Sequence, residues 1–235
     1  MHILAIIPSR FASTRLPGKP LINIAGKSMI QRVYEQCKKS LLLNQIVVAT
    51  DDERIYQHVD EFGGNVIMTS TTHESGTDRC NEIILNSNIA HDIIVNIQGD
   101  EPFINPKQID QTITNLIDSN ADISTLAKKI DDLKLVFDTN TPKVIFNKKT
   151  KIAKDFVRKI QNINKNKKYY KHVGIYAFRA KVLNEISKLS QTKREINEKL
   201  EQLRWLENNY QIAVAITDHE SLSIDTQEDL KNLLI

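Results

Sequence analysis

Between residues 3 and 119, short apolar runs alternate with longer amphipathic stretches, which restricts this part of the chain to βαβ units around a mostly parallel sheet. Ile3 to Pro8 reads as a buried strand, Met29 to Lys38 as a helix, and Gln45 to Thr50 as the next strand. Arg54 to Phe62 reads as a helix, Asn65 to Met68 as a strand, and Thr77 to Asn86 as a helix opened by Gly76. Ile93 to Gln98 is the next predicted strand and Lys107 to Ser119 the next helix. Right-handed crossovers through this order give an α/β fold with a three-layer, doubly wound, mostly parallel sheet of Rossmann-like type. Ligands collect at the carboxyl ends of such strands. The loops after Pro8, Thr50, Thr69 and Asp100 are therefore expected to converge on one crevice.

The second half is less regular. Val144 to Phe146 and Val173 to Phe178 read as strands, separated by a lysine- and asparagine-rich segment, 148–171, with the character of a mobile loop or flap. Glu195 to Asn208 reads as one strong helix, Ile212 to Ile216 as a strand, and Thr226 to Leu234 as a closing helix capped by Asp225 or Thr226. There is no repeat and no low-complexity linker. The expectation is a single domain over 1–235, with a smaller part around 150–210 for a second ligand or for dimerisation.

A hydrophobic content of 40% with 26% charged residues places the chain among globular proteins. The apolar run Ile3 to Ile7 is too short to span a membrane and is followed by Arg10 and Arg15, so a cytosolic location without a membrane partner is expected. Cys37 and Cys80 lack metal or redox spacing and read as packing residues. The net charge of +3 derives from lysines concentrated in 148–171, which requires no nucleic acid and suits an anionic small molecule equally well.

Several segments carry the candidate chemistry. Residues 8–20, PSRFASTRLPGKP, supply Arg10, Arg15 and Lys19 with Ser13 and Thr14 around a glycine turn, the groups that a triphosphate needs. The P-loop and dinucleotide spacings are both absent, and a solvated basic loop has the same composition. Asp100 follows an apolar strand and suits Mg²⁺ as a hard oxygen ligand, although an aspartate there also serves as a turn former; Asp225 is open to the same two readings. The loop 73–79, HESGTDR, offers Ser75, Thr77 and Arg79 at a helix start, for a phosphate or base or simply as a cap. His172 stands at the mouth of a strand, and Glu195, Glu198 and Gln202 share a face if one helix runs through them. Read residue by residue, the sequence describes an α/β protein for a phosphate-bearing ligand with a metal carboxylate.

Taken together, IIPSRFASTRLPGKPL from residue 6, VVATDDERI from 47, HESGTDR from 73, VNIQGDEP from 95, YKHVGIYAFR from 170, EKLEQLRWLEN from 198 and IDTQEDL from 224 resemble the 3-deoxy-manno-octulosonate cytidylyltransferases. These CMP-KDO synthetases are related to the nucleotide-diphosphosugar transferases. The resemblance implies transfer of CMP from CTP to an octulosonate (KDO) with release of pyrophosphate, for lipopolysaccharide synthesis in the cytoplasm, by a Mg²⁺-dependent homodimer. It implies that Arg10, Ser13 and Lys19 hold the phosphates, Lys19 offsetting charge as pyrophosphate leaves, with Arg15 also binding the nucleotide. Ser75, Thr77 and Arg79 with the backbone at Pro8 would line the cytidine, and Asp100 with Asp225 would hold the metal. Gln98 would contact sugar or ribose, and His172, Tyr176, Glu195 and Gln202 would surround the octulosonate, with Arg158 facing its carboxylate.

Two departures qualify the resemblance. Residues 155–162, DFVRKIQN, keep Phe156 and Arg158 of a YFSRxxIP-like run but lack its serine and proline, and Ser223 replaces the glycine of a G-[IV]-D-T turn. A related acid, 8-amino-octulosonate or a sialic acid, and a catalytically silent CTP-binding relative are the competing expectations.

Overall fold

The computed structural model describes residues 1–12, 16–160, 163–164 and 167–233. They form two compact units, one of residues 1–110 with 221–235 and one of residues 111–220.

The first unit opens with β1 (Ile3–Ser9), a short hairpin of β2 (Asn23–Ile24) and β3 (Lys27–Ser28), and α1 (Met29–Cys37). There follow β4 (Gln45–Thr50), α2 (Glu53–Glu61), β5 (Val66–Met68), α3 (Gly76–Leu85), β6 (Ile93–Asn96) and the start of α4 (Pro106–Asp118). β1 pairs in parallel with β4 and with β6, and β4 pairs in parallel with β5, giving the order β6-β1-β4-β5. The chain winds from β1 out to β5 through α1 and α2, then returns through α3 to the other side of β1. Right-handed crossovers place α3 on the opposite face of the sheet from α1 and α2, and the winding reverses between β1 and β6. The run Ile3–Ile7 and residues Val47, Val48, Ile94 and Val95 are almost wholly buried, as the uninterrupted apolar pattern of a two-sided parallel strand requires. Cys37 and Cys80 are free thiols inside this packing, as expected.

The second unit contains β7 (Ile123–Lys129), α5 (Lys134–Phe137), β8 (Lys143–Phe146), β9 (Ala153–Val157) and β10 (Tyr170–Arg179). It continues with α6 (Ala180–Ile186), α7 (Lys193–Glu198), α8 (Gln202–Glu207) and β11 (Ile212–Ile216). β7 lies between parallel β11 and antiparallel β10, and β8 joins β10 and forms a hairpin with β9. α9 (Gln227–Leu233) closes the chain within the first unit.

Three sequence expectations change. The segment 148–171 is not loop throughout, because Ala153–Val157 is a paired strand with Phe156 fully buried. His172 accordingly lies inside β10 and not at its mouth. The helix expected from Glu195 to Asn208 is two helices: Lys199 adopts a left-handed conformation (φ 52°, ψ 50°) between them. The break has a tertiary cause. The Arg158 guanidinium takes the carbonyls of Glu198 and Lys199, acceptors that a continuing helix would have used itself, and also bonds Thr139 O. Gln202 therefore does not share a helix face with Glu195 and Glu198.

Candidate functional site

At the winding reversal, the end of β1 and the loop after β6 approach closely. A β-carbon on Gly99 would lie 3.0 Å from the Pro8 carbonyl oxygen, so no larger residue fits there without displacing backbone. Arg10 is exposed just beyond β1, while Ser13 and Arg15 lie outside the described residues. Phe11 accepts the Gly18 N–H through its carbonyl (3.2 Å), and its ring lies beneath the Arg54 guanidinium, 3.3 Å from carbon to ring centre. Gly18 has φ 66°, a left-handed turn that releases a single 3₁₀ turn, Lys19–Leu21, with Lys19 as its first residue.

Lys19 Nζ donates to Asp100 Oδ2 at 2.7 Å and to Asp225 Oδ1 at 2.8 Å. The lysine side chain is 12% exposed, against 27% for Asp100 and 34% for Asp225. Two features hold the carboxylates in place. Ile224 N–H donates to the Asp100 carbonyl at 3.0 Å, joining the two loops directly. Leu16, Ile24, Met29, Ile224 and Leu230 then pack as one apolar cluster beside them. Thr226 is the cap of α9: its hydroxyl accepts Asp229 N–H (3.2 Å), and the Asp229 carboxylate accepts Thr226 N–H (2.8 Å) and Asp225 N–H (3.0 Å). The capping duty falls on Thr226, and the Asp225 carboxylate is directed to Lys19.

The donor set fits Mg²⁺. That ion takes one or two carboxylates and completes its shell with phosphate oxygens and water, and here two carboxylates already converge on one cation. Among the described residues, no group of three or more histidine, cysteine, aspartate or glutamate side chains forms a closed metal site.

The other predicted nucleotide residues divide. Ser75 caps α3, accepting Asp78 N–H while Asp78 accepts Ser75 N–H (both 3.1 Å), and Thr77 is buried in its first turn. Arg79 is 1% exposed, donating to Asp51 at 2.7 Å and to the Thr69 hydroxyl. It ties the ends of β4 and β5 to α3 and presents no open guanidinium edge. Gln98 is half-buried in the turn leading to Asp100. The sequence reading missed Ser9 and Asn96, whose buried Oγ and Oδ1 at the ends of β1 and β6 have no hydrogen-bond partner. Ser9 directly follows the predicted strand Ile3–Pro8 and Asn96 is the polar residue inside the apolar run Ile93–Gln98, which was the available signal.

In the second unit, His172, Tyr176, Phe156, Phe178 and Trp205 form a chain of ring contacts with centres 5.0–5.9 Å apart. His172 Nε2 meets the Thr125 hydroxyl at 3.0 Å, and burial pushes the imidazole pKa down to about 3. Burial raises the Tyr176 phenol well above its ordinary value, the nearby Glu201 carboxylate adding to the effect. Gln202 is buried, with Nε2 unpartnered. Glu195 is also buried, but wholly committed: Arg204 Nε donates to Oε2 (2.9 Å) and Nη2 to Oε1 (2.6 Å), and Thr192 N–H adds a third donor at 3.2 Å. Glu195 and Arg158 are thus occupied by structural partners, whereas His172, Tyr176 and Gln202 gather around one aromatic cluster or, for Gln202, on the helix that carries Trp205.

Residues 4–215 match the family described as cytidylyltransferase. A 3-deoxy-manno-octulosonate cytidylyltransferase of Parabacteroides distasonis is 50% identical, the alignment covering 100% of this chain and 97% of the relative. The chain belongs to the 3-deoxy-manno-octulosonate cytidylyltransferase family. The family member from Geobacter sulfurreducens is 45% identical over 100% of this chain and 98% of its own. A solved CMP:2-keto-3-deoxy-manno-octonic acid synthetase complexed with CTP superposes with a TM-score of 0.93 at 37% identity, covering 100% of this chain and 97% of the other. The fold extends further: a 4-diphosphocytidyl-2C-methyl-D-erythritol synthase from Anaerococcus prevotii superposes with a TM-score of 0.65 at 17% identity, covering 99% of this chain and 94% of the other. The expected nucleotide-diphosphosugar transferase-like α/β class is the one this family adopts.

Proposed function

We propose that this protein transfers CMP from CTP to the anomeric hydroxyl of 3-deoxy-manno-octulosonate, yielding CMP-octulosonate and pyrophosphate. The observation that carries the reading is the convergence of Lys19, Asp100 and Asp225 at the winding reversal, in a chain half identical to a named octulosonate cytidylyltransferase. The anomeric oxygen attacks the α-phosphorus as its proton is released to water, the bond to the bridging oxygen breaks, and pyrophosphate departs with the electron pair. Such a transfer demands positioning and charge neutralisation more than a protein nucleophile. Lys19 offsets the charge developing on the leaving pyrophosphate, with Arg10 at the outer edge. Asp100 and Asp225 would hold Mg²⁺, which supplies Lewis-acid polarisation of phosphate and hydroxyl when bound. His172, Tyr176 and Gln202 are assigned to the sugar acid. With its imidazole neutral, His172 offers that acid a dipole in place of a positive charge.

The same reading describes a cytoplasmic homodimer whose product feeds lipopolysaccharide assembly. In its support, no helix among the described residues is long and apolar enough to cross a membrane, and the small net charge requires no nucleic-acid partner. The test is pyrophosphate release with CTP and Mg²⁺ in parallel reactions containing 3-deoxy-manno-octulosonate, its 8-amino analogue and a sialic acid. Release with octulosonate is expected. Release with another acid alone would transfer the assignment to that acid, and CTP binding without release in any arm would leave a non-catalytic binder.

A further inference from the structure

We propose that Lys19 is an exchangeable counter-ion that makes divalent-metal binding at Asp100 and Asp225 conditional on nucleotide. The inference rests on the functional reading above and adds a regulation of the same site.

Its basis is a contrast in how the three residues are held. Both carboxylates are fixed through backbone: Ile224 N–H is bonded to the Asp100 carbonyl, Asp225 N–H to Asp229, and the apolar cluster of Leu16, Ile224 and Leu230 packs alongside. Lys19 reaches them on a stem of four methylenes from one 3₁₀ turn, with no backbone bond among the described residues fixing its ammonium. Its ammonium, at 2.7 and 2.8 Å, stands between the two oxygens that a metal needs. A Mg²⁺ ion binds such oxygens at about 2.0–2.1 Å, so metal and ammonium compete for the same lone pairs. No group of three or more histidine, cysteine, aspartate or glutamate side chains forms a closed metal site among the described residues, and the neighbouring Asp229 carboxylate is engaged by the N–H groups of Asp225 and Thr226. A triphosphate changes both sides of the balance. Its oxygens accept the lysine ammonium and release the carboxylates, and they provide the ligands the ion still lacks. Because the carboxylates are also more exposed than the lysine, the ion reaches them from the solvent side as the ammonium turns toward phosphate.

Metal and nucleotide are then linked through Lys19, and the linkage is reciprocal: each raises the affinity for the other by the same factor. A lysine that only adds positive charge would weaken metal binding equally with and without nucleotide. An exchanging lysine weakens it only without.

The experiment titrates Mn²⁺ by electron paramagnetic resonance, in the wild type, Lys19→Met and Lys19→Arg, with and without saturating CTP and without sugar acid. Wild type is expected to bind Mn²⁺ weakly alone and much more tightly with CTP. Lys19→Met should gain about tenfold in Mn²⁺ affinity without CTP, within the usual range of coupling factors, and change little with it. The enhancement by CTP should shrink by the same factor. Lys19→Arg, which keeps the cation, should retain the low CTP-free affinity, and thermal melts of all three establish that they are folded. An equal gain for Lys19→Met in both conditions, or no gain without CTP, overturns the exchange. If CTP binds none of the three, the functional reading itself falls and the inference with it.

Discussion

Removing the Glu195 carboxylate tests whether this side chain is a sugar ligand or a strut. Glu195 and Arg204 have side chains 7% and 5% exposed and share two hydrogen bonds of 2.9 and 2.6 Å. Breaking a buried pair by truncating one partner costs about 3–5 kcal/mol, because the remaining charge stays desolvated. Arg204 would keep the Leu189 carbonyl at 3.2 Å and the Glu201 carboxylate at 3.7 Å, which places the expected loss near the lower end, about 3 kcal/mol. Loss of the reciprocal cap with Thr192 adds about 0.5–2 kcal/mol. Urea unfolding of Glu195→Gln and Glu195→Leu reads the sum directly. Pairing Glu195→Leu with Arg204→Met should recover most of it, since an apolar pair of similar volume is at least as stable as a buried ion pair. In the folded population at low temperature, the KM for the sugar acid should change by less than about twofold, since neither carboxylate oxygen is available to a ligand. A stability loss below about 1 kcal/mol together with a tenfold or larger rise in KM would refute this reasoning and restore Glu195 to the sugar site.

Asp100→Asn and Asp225→Asn are each expected to lower turnover by about 100-fold or more with an unchanged far-ultraviolet spectrum, and normal pyrophosphate release in the double variant would remove the metal assignment. Gly99→Ala, whose new methyl meets a backbone oxygen at 3.0 Å, should cost about 1–3 kcal/mol in a denaturant titration and reduce kcat as Asp100 is pushed away from β1; wild-type values for both would contradict the close approach. Arg158→Ala leaves the carbonyls of Glu198, Lys199 and Thr139 without their donor and should cost about 1–3 kcal/mol, whereas a change confined to sugar KM would return Arg158 to ligand binding. His172 is neutral in the fold with a pKa of about 3, against 6.5 for an unperturbed histidine, so its contribution to stability is complete above pH 6.5 and is lost as pH falls from there toward 3. The difference between wild-type and His172→Gln stability profiles should slope in that window, at no more than about 1.4 kcal/mol per pH unit, and a flat difference would show that the ring is hydrated.

In the parallel half of the fold β1, β4 and β6 were legible because they are buried on both faces and therefore written as unbroken apolar runs. Gln45–Thr50 and Ile212–Ile216 end where the runs end. β7 escaped notice because it buries polar residues: Ser124 accepts Asn115 Nδ2 at 2.8 Å, and Thr125 donates to carbonyls within β10. Hydrogen bonding offsets their desolvation, so the strand needs no apolar pattern, and a hydropathy reading passes over it. The break at Lys199 was illegible for a different reason. Residues 195–208 are mostly good helix formers, rich in Glu, Leu, Lys, Gln and Arg, and the group that takes the carbonyls at the break, Arg158, comes from another element.

For the site, local sequence misjudged which charges are committed. Asp100 and Asp225 each read as a turn former or cap, and only the fold shows that Thr226 does the capping while a lysine joins the two aspartates. Arg79 and Glu195 each read as ligands and are buried and paired, with Asp51 and Arg204. Part of this could have been found: Thr192 and Glu195 have capping-box spacing, and Asp51 lies in the loop after Thr50, one of those expected to converge on the crevice. What separates the two classes is the partner's freedom. Arg79 and Arg204 hold their carboxylates with planar, desolvated guanidinium groups at 1% and 5% exposure, an arrangement that is costly to open. Asp100 and Asp225 share one ammonium on a flexible stem and are themselves 27% and 34% exposed, more than the carboxylates paired with Arg79 and Arg204, at 15% and 7%. An ion pair that exchanges partners suits a site that handles a charged phosphate, and in the first unit the exchange proposed above belongs to the Lys19 aspartates and not to the desolvated Arg79 pair.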